Sequence, residues 1–221
     1  TDKQCSGVLT AMLLAGLVLA FGAVSAHAQS GSEAPAETTS ADEPPKRQIL
    51  EQFSLFYEYF KHDEFESASP YYGWLIENAP GYRAPRNWRR GVTMYEGLAK
   101  NASSTDTKKA YLDSALALID RAVPTLQAEN VEVDSTRWTF RKGRFIHSHQ
   151  DVYGDRRDEV LEAYLETFEE NPEMLAPYYV KYIVRQYTQA GDKQMALDFM
   201  DRAEEAYDDQ ELLTWFDRQR D

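Results

Sequence analysis

Apolar side chains recur at helical spacing through most of the chain beyond residue 45. In the first such segment they stand three or four positions apart, which is the period of one face of an α-helix. The apolar positions of this face are Ile49, Phe53, Phe56 and Phe60, widened by Leu55 and Tyr59. The next segment keeps a similar period through Phe65, Ala68, Tyr72, Leu75 and Ile76. The pattern predicts two helices joined by the short turn "KHDE".

Strand signals are almost absent from the sequence. Apolar and polar residues alternate over several positions only in "NVEVD", residues 130–134, which is too short to build a sheet. Near the end of the chain, apolar residues again predict a helix, at Leu212, Leu213, Trp215 and Phe216. The sequence is therefore predicted to be all-α.

Pro70 and Gly73 interrupt the second apolar pattern. Proline is tolerated in the first turn of a helix, where the amide it lacks would have no intrahelical partner. We therefore predict that Pro70 lies in the first turn of the second helix. Glycine costs about 1 kcal/mol of helix propensity relative to alanine, and we expect a closely packed neighbouring helix to account for Gly73.

The helical pair resembles one tetratricopeptide repeat (TPR), a helical hairpin of about 34 residues. The positions that match the repeat pattern are Leu55, Tyr59, Ala68, Tyr72 and Pro80, with Phe65 in the turn and Gln52 near the place of the expected Trp. A segment near the end matches through Ile183, Tyr187, Gly191, Ala196, Met200 and Ala203. The spacing from tyrosine to alanine is nine in both segments. Tyr71 and Trp74 fall off the pattern and are predicted to contact the adjacent repeat.

Two looser copies of the repeat lie between these segments. The second is carried by Trp88, Gly91 or Val92, Tyr95, Ala115, Ile119 and Ala122, with a lengthened turn at "NASSTDT" and a helix break at Pro124. The third is carried by Trp138, Phe145, Tyr164 and Pro172. Arg141 and Lys142 occupy places that are apolar in the repeat pattern. The alignment of the third copy to the pattern could therefore be shifted by one residue. The first-helix aromatics are spaced 36, 50 and 42 residues apart, and loop insertions are expected to account for the excess.

The resemblance implies a right-handed α-solenoid of about four TPR-like hairpins plus a C-terminal helix, over residues 48–221. The last helix either caps the open end of the stack or begins a further repeat. TPR units usually serve as protein-binding scaffolds, so the resemblance also implies that first helices line a concave groove. Residues expected to face this groove are Phe53, Tyr57, Phe60, Tyr178, Lys181 and Arg185.

The N-terminal part of the chain reads as an export signal. The apolar run from Val8 to Ala26 carries no charge, and it ends in the small-x-small pattern of a signal-peptidase site, which predicts a signal peptide over residues 1–28. A retained membrane anchor is the alternative, because the run is nearly long enough to span a bilayer. Residues 29–47 are poor in large apolar side chains and are predicted to form a disordered linker. Cys5 precedes the run, so it does not match the lipid-bearing cysteine of a lipoprotein signal.

Charge and motif content exclude several function classes. The net charge of −13 argues against general binding of nucleic acid or anionic membranes. His147, His149 and Asp151 could suggest a metal site, but residues two apart on a helix point to different sides, so a solvated helix end is preferred. Adjacent acids on a helix also diverge, which argues against a glycosidase pair at Glu169 and Glu170 or at Glu204 and Glu205. We expect no enzyme activity and no cofactor.

Two clusters of basic residues stand out in this acidic chain. One holds Arg83, Arg86, Arg89 and Arg90, and the other holds Arg137, Arg141, Lys142 and Arg144. Both fall on predicted first helices, so stacking would form a basic strip that could receive an acidic peptide or a C-terminal carboxylate. Internal pairing with acidic second helices is the alternative. The residues predicted to bind a peptide are Tyr57, Arg86, Arg89, Arg137, Arg141, Lys181 and Arg185.

These patterns predict an exported interaction scaffold that binds a protein or peptide partner, in the periplasm of a Gram-negative bacterium or outside the cell. A narrower prediction is an envelope assembly factor similar to TPR lipoproteins that help insert outer-membrane proteins. The alternative is a domain that binds or cleaves cell-wall glycans through exposed aromatic and acidic side chains.

Overall fold

A computed structural model describes residues 44–220, and most of them are helical. The helices in this range are α1 (Lys46–Phe60), α2 (Phe65–Asn78), α3 (Arg86–Lys100), α4 (Thr105–Ala128), α5 (Ser135–Ser148), α6 (Gln150–Tyr153), α7 (Arg157–Glu170), α8 (Pro177–Ala190), α9 (Lys193–Ala206) and α10 (Gln210–Arg220). A 3₁₀ turn at Pro172–Met174 lies between α7 and α8. The predicted signal peptide and nearly all of the predicted linker lie outside the described residues.

The helices pair as four consecutive hairpins, α1 with α2, α3 with α4, α5 with α7, and α8 with α9. Successive hairpins contact each other through α2 and α3, α4 and α5, and α7 and α8, while α10 packs on α9. No strand occurs within residues 44–220, including residues 130–134. The predicted all-α solenoid of four hairpins with a C-terminal helix is confirmed.

Local sequence signals set several helix ends. The side chain of Ser104 accepts a hydrogen bond from the Thr107 amide at 3.1 Å, which caps the start of α4. Helix α8 begins with Pro177 and ends before Gly191, whose φ of 83° is left-handed. Glycine adopts this conformation without strain, so it allows the sharp turn into α9.

One continuous apolar core runs along the stack. Trp88 is completely buried at the junction of the first two hairpins, where its indole N–H donates to the Pro80 carbonyl at 3.0 Å. Burial of one large apolar side chain stabilises a fold by roughly 1.5–3 kcal/mol. The predicted close-contact positions in second helices are also buried, which confirms the repeat register there: Ala68, Tyr72, Ala115, Ile119, Ala122, Ala196, Met200 and Ala203.

The predicted place of Pro70 is wrong. Helix α2 begins at Phe65, so Pro70 lies in its second turn. The ring of Phe65 packs against Phe60 and the backbone of Gly97, and this burial favours the earlier start. The carbonyl of Glu66 loses the amide that residue 70 would supply in a regular helix. The Ser69 hydroxyl donates to this carbonyl at 3.2 Å.

The predicted helix break at Pro124 is also wrong. Helix α4 is 24 residues long and continues through this proline to Ala128. Leu126 is completely buried beyond the proline, and this packing holds the last turn in place. The preceding turn is only residues 101–104, so helix length and not a lengthened loop accounts for the wide spacing in the second hairpin.

The expectation for Gly73 is wrong, and the contact found for Tyr71 differs from the predicted one, while the predicted contact of Trp74 with the adjacent repeat stays a prediction. A Cβ placed on Gly73 would have no heavy atom within 4 Å, so no neighbouring helix requires a glycine there. The ring of Tyr71 stacks on Tyr59 at 5.8 Å, and this contact lies within the first hairpin instead of between hairpins. Trp74 packs half-buried against the core.

Candidate functional site

Three of the predicted binding residues line one groove between α3 and α5. They are Arg89 on α3 and Arg137 and Arg141 on α5. The groove has a volume of about 300 Å³, and Pro85 and Trp138 complete its apolar wall. The Trp138 side chain is almost fully buried, and the Arg141 guanidinium lies 5.5 Å from the centre of its ring. A cation over an indole face is attracted by the ring quadrupole, so Trp138 orients Arg141.

The groove carries a net positive charge, because three arginines and two acids line it. Burial lowers the pKa of Arg141, and the nearby cations Arg144, Arg89 and Arg137 lower it further, against a smaller opposing effect of Glu96. Among residues 44–220, no salt bridge joins Arg89 or Arg141 to an acid. Both guanidinium groups therefore have N–H donors free for an anionic ligand.

Two carboxylates moderate this charge, and sequence reasoning did not identify them. Glu132 and Asp134 also line the groove. The Asp134 side chain caps α5 by accepting from the Arg137 amide at 3.0 Å, and its other oxygen lies 3.4 Å from Arg137 Nε. The spacing of Asp134 before Ser135 and Arg137 is a helix-start signal, which could have located Asp134 at this groove.

Next to the groove, arginines of α3 and of the turn before it stack on aromatic rings of α1. The guanidinium of Arg90 lies 4.5 Å from the Tyr57 ring centre, and that of Arg83 lies 4.3 Å from the Phe53 ring centre. Burial lowers the pKa of Arg90; Tyr57 opposes this shift, while Arg86 and Arg83 add to it. The predicted residue Tyr57 thus contacts Arg90, and the predicted residue Arg86 lies near Arg90, so neither lines the groove.

The side chains of Lys181 and Arg185 contact α10 and not the groove. Both lie over the ring of Trp215 on α10, at 5.9 and 5.7 Å from its centre. Lys181 also forms a salt bridge with Glu211 at 3.2 Å. Neither side chain lines the arginine groove. Their proposed part in a common binding strip remains a prediction.

The alternative of internal pairing holds for one member of the basic clusters. Lys142 extends towards the second helices, where its Nζ lies 2.9 Å from Asp120 and 3.3 Å from Glu159. Arg144 is exposed. Since residues 141 and 142 differ by about 100° around the helix axis, Arg141 reaches the groove while Lys142 reaches the acidic side.

The histidines do not form a solvated helix end, so that interpretation is wrong. His147 Nδ1 lies 3.0 Å from Tyr164 Oη, and its ring stacks on Tyr178. Burial lowers the pKa of His147. His149 Nε2 lies 3.3 Å from Glu96 Oε1, which joins α5 to α3. Aromatic packing of α5 against α7 and α8 draws His147 inward. In residues 44–220 there is no group of three or more potential metal ligands.

Two of the acids considered for glycan chemistry form salt bridges, and few aromatic side chains are exposed. Glu169 pairs with Arg202, and Glu204 pairs with Arg220. The exposed large aromatic side chains of the described range are Tyr57 and Tyr178, at 39% and 57% exposure. No helix within residues 44–220 has the length and apolar content needed to cross a membrane.

Two solved structures are similar to this chain in architecture. One is a thermophilic TPR protein of Thermus thermophilus, with 18% identity over 77% of this chain and 80% of that chain, and a TM-score of 0.43. The other is the MamA protein, with 12% identity over 72% of this chain and 91% of that chain, and a TM-score of 0.35. No protein-family model and no curated protein sequence matches the chain. Because both TM-scores lie below 0.5, the architecture rests on the helix pairing described above.

Proposed function

We propose that this protein is an interaction scaffold that binds an acidic segment of a partner protein in the groove between α3 and α5. One observation supports this most directly. Arg89 and Arg141 converge beside the buried ring of Trp138, and neither forms a salt bridge within residues 44–220. The role is binding and not catalysis, and it requires no cofactor.

The groove would recognise a carboxylate through directed hydrogen bonds. A guanidinium presents several N–H donors in a plane, and a carboxylate accepts two of them at once. Trp138 fixes Arg141 before the ligand arrives, so less side-chain freedom is lost on binding. The carboxylate would also compete with Asp134 for Arg137.

The cellular setting belongs to the same proposal. The apolar run of residues 8–26 and the small-x-small pattern after it support export, to the periplasm or the cell exterior. An acidic protein in that compartment would meet proteins of the envelope. We therefore place the scaffold in envelope assembly, with a protein partner and without nucleic acid or stable membrane insertion.

A direct test uses a fluorescein-labelled peptide of glycine and serine with a single central glutamate and amidated and acetylated ends. Binding is measured by fluorescence anisotropy with the full chain at low and high salt. The combined change Arg89→Gln and Arg141→Gln should weaken binding about tenfold or more, because charge-assisted hydrogen bonds contribute about 1.5–3 kcal/mol. Arg218→Gln is the matched control, since Arg218 is exposed on α10, far along the chain from the groove.

Equal affinity of the double variant and the native chain would refute the proposal. Binding to a cell-wall glycan array that is lost with Tyr57→Ser or Tyr178→Ser would favour the glycan-binding alternative instead.

A further inference from the structure

A second arginine cluster borders the groove across α3. It consists of Arg83, Arg86 and Arg90 and is called the α1–α3 cluster below. Arg86 and Arg90 are four residues apart and so share one side of the helix. Arg89 stands three residues after Arg86 but faces α5. The α1–α3 cluster and the groove are therefore neighbouring sites on two sides of one helix.

Neutral groups hold the α1–α3 cluster in place. The rings of Phe53 and Tyr57 stack at 5.7 Å with an angle of 9° between them, and each carries one guanidinium on its face. Arg90 also donates to the Asn87 side-chain oxygen at 3.0 Å, and Arg83 donates to the Tyr82 hydroxyl at 3.3 Å. These contacts fix the positions of Arg83 and Arg90 without neutralising their charge.

The α1–α3 cluster has no acidic salt-bridge partner within residues 44–220, although the chain holds 37 acidic and 24 basic side chains. By contrast, Arg220 lies within salt-bridge distance of Asp201, Glu204 and Asp217. Three cations without an acid repel one another, and an anionic ligand would relieve that repulsion. Charge complementarity therefore favours an acidic partner at this second site.

We infer that the partner segment is extended and crosses α3, with one carboxylate in the groove and a second at the α1–α3 cluster. This inference rests on the proposed function of the groove. The two sites lie on either side of α3, and a helix with its side chains is about 10–12 Å across, so the sites are about 10 Å apart. An extended chain advances about 3.3 Å per residue. The two acidic residues of the partner should therefore be about three positions apart, and the partly exposed ring of Tyr57 can contact the residues that follow.

The test compares three fluorescein-labelled peptides of glycine and serine with blocked ends. One carries two glutamates three positions apart, one carries two adjacent glutamates, and one carries a single glutamate. With the full chain, the first peptide should bind about tenfold or more tightly than the other two, because only it can satisfy both sites. The combined change of Arg83, Arg86 and Arg90 to Gln should remove this advantage, so that the variant binds the three peptides with equal affinity.

Arg86→Gln alone serves as a second variant because Arg86 is exposed and its replacement should not disturb folding. It should reduce the advantage of the first peptide severalfold, while Arg218→Gln should leave all three affinities unchanged. If the triple variant keeps the advantage of the first peptide, the second site is refuted. The groove itself still stands if Arg89→Gln with Arg141→Gln weakens all three peptides, and both ideas fail if no variant changes any affinity. Displacement of the first peptide by single-stranded oligothymidylate of equal charge would also overturn the inference, since it would indicate an unselective polyanion surface.

Discussion

The phenol of Tyr72 fills the space that a side chain on Gly91 would need. A Cβ placed on Gly91 would lie 1.9 Å from the Tyr72 hydroxyl oxygen and 2.0 Å from the ring carbon that bears it. Tyr72 is 1% exposed, so its ring has little room to move. The junction between α2 and α3 therefore requires a residue without a side chain at position 91.

We predict that Gly91→Ala destabilises the fold even though alanine favours helices. Overpacking of a buried contact typically costs 1–3 kcal/mol, which exceeds the gain of about 1 kcal/mol in helix propensity. The free energy of unfolding, measured by urea denaturation, should fall by up to about 2 kcal/mol, the overpacking cost less the propensity gain.

The matched control is Gly73→Ala, one residue after Tyr72. A Cβ at Gly73 would meet no heavy atom within 4 Å, so this change should stabilise the protein by up to about 1 kcal/mol. Equal effects of the two substitutions would show that the contact between Tyr72 and Gly91 is not tight.

The contrast between these glycines shows what the sequence can predict. The helical period around Tyr72 identifies it as a packing residue, because periodicity reports which side of a helix is buried. It does not report which glycine faces that residue across the junction, because this depends on the offset between two helices. Likewise, burial of Leu126 stabilises the turn of α4 beyond Pro124. Local helix propensity does not include the free energy of this burial.

The candidate site was predictable to a similar extent. The arginine-rich segments fall on first helices, and stacking brings Arg89 and Arg141 together. Whether Arg141 or Lys142 faces the groove depends on how α5 is rotated about its axis. The irregular pattern of the third repeat does not determine this rotation. The position of Trp215 over Lys181 depends on how α10 packs against the stack, and no local pattern reports that arrangement.

A double-mutant cycle can test the role of Ser69 in α2. Pro70→Ala should stabilise the protein by about 1 kcal/mol or more, because alanine restores the amide donor to the Glu66 carbonyl and removes the steric conflict of the proline ring. In the native chain, Ser69→Ala should cost about 0.5–1 kcal/mol, the contribution of its hydrogen bond to Glu66. In the Pro70→Ala background this cost should largely disappear, since the carbonyl then has its helical partner. Additive effects in thermal unfolding would contradict this account.

Lys142 should stabilise the contact of α5 with α4 and α7. Burial alone would lower the pKa of its amine, but hydrogen bonds to Asp120 and Glu159 raise the pKa above its ordinary value. Because the folded pKa is raised, this stabilisation is fully present below the unfolded pKa of about 10.4 and is lost as the pH rises through the folded pKa. Lys142→Met should cost at most about 1 kcal/mol at pH 8, since partial exposure screens the ion pairs. The difference in unfolding free energy from the native chain should shrink towards pH 11, and a constant difference would refute the ionic contribution.

His147 should make the third and fourth hairpins sensitive to acid. Its ring lies among Tyr164, Tyr178 and Tyr182, and burial lowers its pKa. A histidine with a lowered folded pKa binds protons more readily in the unfolded state. Its contribution is therefore complete above the unfolded pKa of about 6.5 and is lost as the pH falls from there through the folded pKa. Between pH 7.5 and 5.5, the melting temperature of the native chain should fall more than that of His147→Gln, by up to about 3 °C, the shift that roughly 1 kcal/mol causes in a domain of this size.

The control for this prediction is His62→Gln, because the His62 side chain is 58% exposed in the turn after α1. That variant should follow the native pH dependence closely. If His147→Gln and His62→Gln change the acid sensitivity equally, the effect does not come from the buried ring. If His147→Gln leaves the acid sensitivity unchanged, the aromatic cluster accommodates the protonated imidazole. The ring centre of Tyr182 lies 4.4 Å from that of His147, so its π face would be the group that stabilises the cation.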